Sequence, residues 1–306
     1  MAEQRDWVAE MQELGYTDFW SSESDYADAF TPCTLAGEWA PRCRVGTAIV
    51  PAFTRGPATV AMTAASVADA LPGRFVLGIG TSSDVIVQRW NDISFERPYY
   101  KTRDLVRFLK LAFAGEKISQ TFDTFEIKGF RPSLVPEQAP KIMVAALREG
   151  MLKLAGRESD GAILNWLSAE DVKKVAPYVH DGGPDKELIA RIFVIPTDDK
   201  EQARGLAKRA ICAYLNVPVY KAFHQWLGNS DKLQQCWDLW EAGDRKGALA
   251  SVPDELADEL YIHGNPAECR AGVQRYIDSG ITTPAIAVTP VKGRDYREIA
   301  RELAPR

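Results

Sequence analysis

Short apolar runs alternate along the chain with stretches of helical spacing. The runs are Asp18–Ser21, Arg44–Val50, Phe75–Gly80, Lys141–Ala146, Gly161–Trp166, Ile189–Ile195 and Pro284–Val288. Most are nearly continuous in apolar residues, the pattern of strands covered on both faces. Between them apolar residues recur every three or four positions, as over Met62–Leu71 and Arg103–Phe113. Strand and helix repeated in this order predict an α/β fold with a parallel sheet or barrel. No low-complexity linker or clean boundary divides the chain, so residues 1–306 read as one domain.

Two stretches depart from simple alternation. Residues 200–261 are helical almost throughout and carry Tyr214, Tyr220, Phe223, Trp226, Trp237 and Trp240. That is longer than one crossover helix needs and predicts a helical insertion. At the start, Met1–Gly15 reads as a helix followed at once by a strand. An eight-stranded barrel requires a strand before that helix, and the pattern supplies seven strands in all. The expectation is a barrel with its first position open, its lips formed by the strands near Asp18 and Pro284, or one whose first strand comes from residues ahead of Met1.

Composition narrows the function. The chain has 306 residues, 46% apolar and 26% charged, enough for a large core. Lys and Arg number 37 against 42 Asp and Glu, a net charge of −5, which speaks against a nucleic-acid partner. No apolar run approaches the ~20 residues of a membrane span, and the charged, amphipathic start is unlike a secretory leader. Five scattered cysteines without a CxxC pair suggest reduced thiols and a cytoplasmic location. With His180, His224 and His263 far apart, no His-rich metal site is expected.

Familiar motifs fail on inspection. Gly78-Ile79-Gly80 follows a strand, but the third glycine of a dinucleotide fingerprint falls on Ser83. Neither a phosphate-binding GxxxxGK[ST] loop nor a GxSxG nucleophile elbow is present. Glu23 and Asp25, just past the first strand, form a carboxylate pair that is equally an exposed strand end.

Three stretches together resemble one family. They are Val45-Gly46-Thr47-Ala48-Ile49-Val50-Pro51 with Phe53-Thr54-Arg55-Gly56-Pro57-Ala58; Leu71-Pro72-Gly73-Arg74-Phe75-Val76-Leu77-Gly78-Ile79-Gly80-Thr81-Ser82-Ser83; and Ala145-Ala146-Leu147 running on to Leu154-Ala155-Gly156-Arg157 and Ser159-Asp160-Gly161. They resemble the bacterial luciferase-like flavin and deazaflavin oxidoreductases. Residues 82–98, with Gln88-Arg89-Trp90-Asn91 and Phe95-Glu96-Arg97-Pro98, look more like the branch that uses coenzyme F420. The resemblance spans nearly the whole chain and implies a TIM barrel with its site at the carboxyl ends of the strands.

On that resemblance, the residues after each strand are the candidates. Glu23 and Ser24 follow the second barrel position and stand as the catalytic pair, with Glu23 the acid. Ala48 and Ile49 follow the third, where relatives carry a non-proline cis peptide whose kink would press the backbone against the deazaflavin ring. Gly80, Thr81, Ser82 and Ser83 close the fourth; they are small and polar enough to meet a flat ring, or are an ordinary turn with a capping serine. Ala145, Ala146, Leu147, Arg148, Glu149, Gly150 and Met151 follow the fifth and open a helix, an anion site for a cofactor phosphate or a solvated loop. Asn165 and Trp166 follow the sixth, where Trp166 flanks the ring or packs in the core. The insertion aromatics roof an apolar substrate pocket or simply pack.

Two departures bear on the reaction. Sugar-phosphate dehydrogenases of the family carry a catalytic histidine where this chain has Ser24, and an acid where it has Ser83. The resemblance therefore implies an F420-dependent enzyme passing a hydride to or from a small organic substrate, though not a sugar phosphate. The alternatives are an FMN-dependent monooxygenase on the same barrel and a catalytically silent cofactor-binding barrel. Relatives are often homodimers.

Overall fold

The computed structural model describes residues 2–305. Its strands are β1 (Asp18–Ser21), β2 (Arg44–Thr47), β3 (Val50–Pro51), β4 (Phe75–Gly80), β5 (Ile118–Thr121), β6 (Glu126–Phe130), β7 (Lys141–Ala145), β8 (Gly161–Leu164), β9 (Glu187–Ile195), β10 (Tyr261–His263) and β11 (Thr283–Val288). The helices are α1 (Arg5–Glu13), α2 (Phe30–Trp39), α3 (Pro57–Ala70), α4 (Pro98–Phe113), α5 (Glu149–Glu158), α6 (Ala169–His180), α7 (Lys200–Tyr214), α8 (Pro218–Leu227), α9 (Ser230–Glu241), α10 (Arg245–Ser251), α11 (Asp254–Leu260), α12 (Pro266–Asp278) and α13 (Tyr296–Leu303).

All pairings but one are parallel. The sheet runs β1-β2-β4-β7-β8-β9, with β11 on the far edge of β9. Strand β9 is long enough to serve three partners: β8 at its start, β11 along its middle and β10 at its end. Strand β3 continues the line of β2 beyond an interruption and pairs with the end of β4. At that interruption the Thr47 hydroxyl accepts from the Gly78 amide and donates to its carbonyl, both at 2.8 Å. A side chain at Gly78 would meet the Thr47 carbonyl oxygen at 1.9 Å, so only glycine lets the two strands approach this closely.

The first barrel position is open, as the pattern implied. Strand β1 pairs only with β2 and β11 only with β9. Their Cα atoms come within 8 Å of each other without forming a ladder. Neighbouring strands lie about 4.8 Å apart, so one strand's place needs about 9.6 Å, and the seam is narrower than this at its closest. A cavity of about 580 Å³ follows it, lined by Phe19, Trp20, Pro284 and Ile286 among others.

One guanidinium ties the strand starts around the seam. Arg44, opening β2, bonds Asp18 at the start of β1, Glu187 at the start of β9 (2.7 Å) and Thr283 at the start of β11 (3.0 Å). The Thr283 hydroxyl donates to Glu187 at 2.6 Å. Burial disfavours the charge on Arg44, but its bonds to Glu187 and Asp18 outweigh this and raise its pKa. Burial likewise opposes the charge on Glu187, and the Arg44 and Thr283 bonds outweigh it and lower its pKa.

Alternation along the strands sorts the core. One set, Val76, Met143, Ile163 and Ile189, fills the barrel with Trp20, Ala48, Ile49, Ala145 and Ala285. The other set packs outward against the helices, as Leu77, Val144, Ala162 and Ile192 do. The predicted insertion is helices α7–α11, with its own core of Ile211, Leu215, Leu233, Trp237 and Leu256. Trp237 Nε1 donates to the Leu215 carbonyl at 3.0 Å. The five cysteines are free and buried. Among the described residues no helix is long and apolar enough to cross a membrane.

The pattern missed the antiparallel hairpin β5–β6 and the short β10. The hairpin is mostly exposed and polar, so it lacks an apolar run. Strand β10 is three residues that follow α11 directly, absorbed into the helical stretch.

Arg44→Met should lower stability by about 3 kcal/mol, because it removes the cation between two largely buried carboxylates and leaves Glu187 only Thr283 and the more distant Lys141 at 3.6 Å. Urea denaturation measures the loss. Hydrogen exchange should rise first in β1 and β11. Because the Glu187 pKa is lowered on folding, its contribution is present above pH 4.5 and lost as the pH falls through the lower folded value.

Candidate active site

The carboxyl end of the barrel is lined quite differently from the end that Arg44 closes. After β4 the chain turns through Thr81–Asp84 into a π-helical turn, Val85–Trp90. Ser82 has a left-handed backbone, φ 63°. The Ser83 hydroxyl accepts from the Ile86 amide at 3.3 Å, so Ser83 serves as a cap. Thr81 donates to the Ser82 carbonyl at 3.3 Å. The Ser82 hydroxyl itself makes no hydrogen bond to the described residues.

Across the mouth, β7 leads into α5. Arg148 occupies the position before the helix in an extended conformation, and no side chain caps the first turn. The first amide bonded within the helix is that of Leu152, to the Arg148 carbonyl at 3.0 Å. The amides of Glu149, Gly150 and Met151 are therefore free, with the positive end of the helix dipole behind them. Arg148 is exposed and pairs with no carboxylate among the described residues. The Glu149 carboxylate is held by Lys153 at 2.6 Å. A side chain at Gly150 would meet nothing within 4 Å, so the space over these amides is open.

These two turns face one cavity of about 770 Å³. It collects Thr81, Ser82, Ser83, Ala145, Leu147, Arg148, Glu149, Gly150 and Met151 from the sequence candidates, with Phe95, Tyr99 and Trp226 on its walls. Gly80 and Ile49 lie beside Ala145: a side chain at Gly80 would stand 2.9 Å from Ala145 Cβ and 3.1 Å from Ile49 Cγ1. The Ala48–Ile49 peptide is cis, as the resemblance implied. Ala146 belongs to the frame instead; it is buried, and its amide donates to the Ile163 carbonyl at 3.0 Å.

The remaining candidates do not line this cavity. Glu23 is engaged at both oxygens. Oε2 accepts from Arg55 at 2.9 Å and from the Ala29 amide at 3.4 Å, and Oε1 from Thr54 at 3.3 Å. Ser24 is exposed. Asn165 Nδ2 donates to the Tyr220 hydroxyl at 3.2 Å, while its Oδ1 is buried without a partner. Trp166 has a left-handed backbone, φ 57°, and is 2% exposed. It packs against Phe193, Tyr214 and Tyr261 with ring centroids at 4.4, 5.1 and 5.9 Å. Its ring is enclosed by these neighbours. Its indole nitrogen too is buried without a partner.

The histidine beneath this aromatic group is structural. His224 is fully buried on α8. Its Nε2 lies 2.9 Å from the Trp166 carbonyl, which can only accept, so Nε2 donates and Nδ1 accepts from Asn229 at 3.2 Å. Burial pushes its pKa down to about 4.

One residue escaped the sequence reading. Arg191 sits in the middle of β9 on the face of Ile189, which fills the barrel. It is exposed, and no carboxylate among the described residues pairs with it. Its guanidinium stacks over the Phe193 ring at 5.0 Å. The signal was a single charge inside the run Leu188–Ile195, at the period that places it on the inner face.

Fold and site together define an open parallel α/β barrel with unpaired cationic and amide groups at its carboxyl mouth. The chain matches the luciferase-like monooxygenase family over residues 1–283 and belongs to it. It is 24% identical over 316 residues to the 5,10-methylenetetrahydromethanopterin reductase of Methanolobus tindarius, covering 97% of this chain and 93% of that protein. Among solved structures it resembles the coenzyme F420-dependent tetrahydromethanopterin reductase of Methanopyrus kandleri, with a TM-score of 0.80, 16% identity, and 98% and 94% of the two chains covered. An F420-dependent secondary alcohol dehydrogenase in complex with an F420–acetone adduct gives a TM-score of 0.77 at 15% identity, covering 99% and 92%.

The buried, neutral His224 sets a pH dependence. Its folded pKa lies below the unfolded value of 6.5, so its contribution is intact above that pH and is lost as the pH falls toward about 4. Urea denaturation should show a loss of about 2 kcal/mol from this residue between pH 7 and pH 5. His224→Gln should lack that part of the slope.

Proposed function

We propose that the protein is a coenzyme F420-dependent oxidoreductase acting on a small organic substrate. The observation that carries this is the cavity between the Thr81–Ser83 turn and the uncapped start of α5. Its donor set suits the group. Three free amides, a helix dipole and the unpaired Arg148 favour a phosphate, and the open space over Gly150 admits one. The small residues Gly80, Ala145 and Ser82 leave room for a flat ring beside β4 and β7. Similarity in sequence to a 5,10-methylenetetrahydromethanopterin reductase, and in fold to a coenzyme F420-dependent reductase, adds support.

When bound, the deazaflavin supplies hydride chemistry at C5, and the protein supplies binding and orientation. Arg148 and the amides of residues 149–151 would hold the phosphate. Thr81 and Ser82 would meet the polar edge of the ring, Ser82 with its unused hydroxyl. The Ala48–Ile49 backbone, with Gly80 and Ala145, would form the floor. Phe95, Tyr99 and Trp226 would keep water from the ring. Glu23, committed to Arg55 and Thr54, is better placed to hold Arg55 than to deliver a proton, and Ser24 remains beside it as a hydroxyl at the barrel mouth.

Deazaflavin fluorescence should quench saturably at micromolar concentrations, about −8 kcal/mol of binding. Arg148→Ala should raise KM for the cofactor about tenfold and leave kcat nearly unchanged, because a phosphate contact is held equally in ground and transition states. Saturable binding of FMN with none of the deazaflavin would overturn the proposal in favour of a flavin monooxygenase. Binding of neither would favour the silent barrel.

A further inference from the structure

Arg191 has no structural occupation. The neighbouring acid on its face of β9, Glu187, is committed to Arg44 and Thr283 at the other end of the barrel. Its cross-strand partner on β11 is Ala285, and that of Phe193 is Ala287. Both are small, and the Arg191 side chain is exposed. The contact with the Phe193 ring, 5.0 Å to its centroid, uses none of the guanidinium hydrogens and leaves its five N–H donors available.

The surroundings of Arg191 are aromatic, with polar groups unsatisfied. Phe193 stacks on Tyr261 with centroids 5.0 Å apart and touches Trp166 at 4.4 Å. Trp166 Nε1 and Asn165 Oδ1 are buried without partners in this same cluster. Asn165 donates to Tyr220, whose phenol proton is left free to donate. Burial raises the pKa of both Tyr220 and Tyr261, and the positive charge of Arg191 acts on both in the opposite sense. An unpaired cation, two orphaned buried polar atoms and a wall of rings therefore converge at the carboxyl ends of β8 and β9. A protein that only packed here would satisfy the buried groups and place an apolar residue at position 191.

We propose that Arg191 anchors an anionic group, carboxylate or phosphate, of the substrate, with the packed rings of Phe193 and Tyr261 as the fixed support behind the guanidinium. The substrate class is thus an organic acid or phosphate ester. Arg191 grips the end remote from the reacting carbon and sets which part of the molecule is turned toward the cofactor cavity. It is a specificity-determining residue with no part in proton or hydride movement. The assignment rests on the oxidoreductase reading in taking the bound molecule to be the substrate.

The test uses the full protein without cofactor and three probes of one shape: benzoate, phenyl phosphate and uncharged benzamide, each titrated by calorimetry. Benzoate or phenyl phosphate should bind at least about tenfold more tightly than benzamide, the worth of a charge-assisted pair. Whichever anion binds more tightly identifies the substrate's charged group. In Arg191→Met and Arg191→Gln the preference for the anions should vanish, while the affinity for F420 stays as in the wild type. Equal binding of benzamide and both anions to the wild type would overturn the proposal, and that comparison depends on no variant. So would a loss of F420 affinity in both variants with the anion preference intact, which would assign Arg191 to the cofactor. Failure of the wild type to bind F420, with the anion preference present and lost on substitution, would sink the cofactor reading and leave the anion site standing.

Discussion

Seven parallel strands cannot complete the ladder that eight would close, and the protein meets this constraint with charge at one end of the seam. The guanidinium of Arg44 reaches the starts of β1, β9 and β11, so the two unpaired edges are joined through side chains where the backbone cannot join them. The geometry above depends on that closure. With β1 and β11 held, the inner faces of the strands converge on Trp20, Met143 and Ile163, and the carboxyl ends open into a mouth of defined width.

The two ends of the barrel are electrostatic opposites. At the amino ends, cation and anions are matched, largely buried and bonded to one another. At the carboxyl ends, Arg148 and Arg191 are unmatched, and the free amides of α5 add to the same sign. Paired charges in a dry site fix structure, whereas unpaired ones remain available to a ligand. The net charge of −5 hides this division, because the excess acids lie elsewhere.

Much of this was legible in the chain. Continuous apolar runs marked the strands because both faces are covered, and their number already implied the open position. The stretches around Gly80, Ala145 and Arg148 could be placed at one mouth because a parallel barrel puts all strand ends together. What was not legible depended on partners far apart in sequence. Nothing near Glu23 announces that Arg55 and Thr54 occupy both its oxygens. Trp166 reads as a strand end, and only the insertion rings show that it is enclosed. Arg191 was visible as a lone charge in an apolar run, but its freedom could be judged only once every nearby carboxylate had been located.

Strand β9 is a single rod that runs through all of these regions. Its first residue, Glu187, is in the seam network, Arg191 is exposed on the inner face, and Phe193 packs between Trp166 and Tyr261. The distance from Glu187 to Phe193 is about 20 Å of extended chain, which bends but does not stretch. One unbroken backbone is thus common to the salt links at one end and the aromatic packing at the other. The insertion and the open edge of the barrel therefore share one strand, doubly laddered at residues 189 and 190, where the pairings to β8 and β11 overlap.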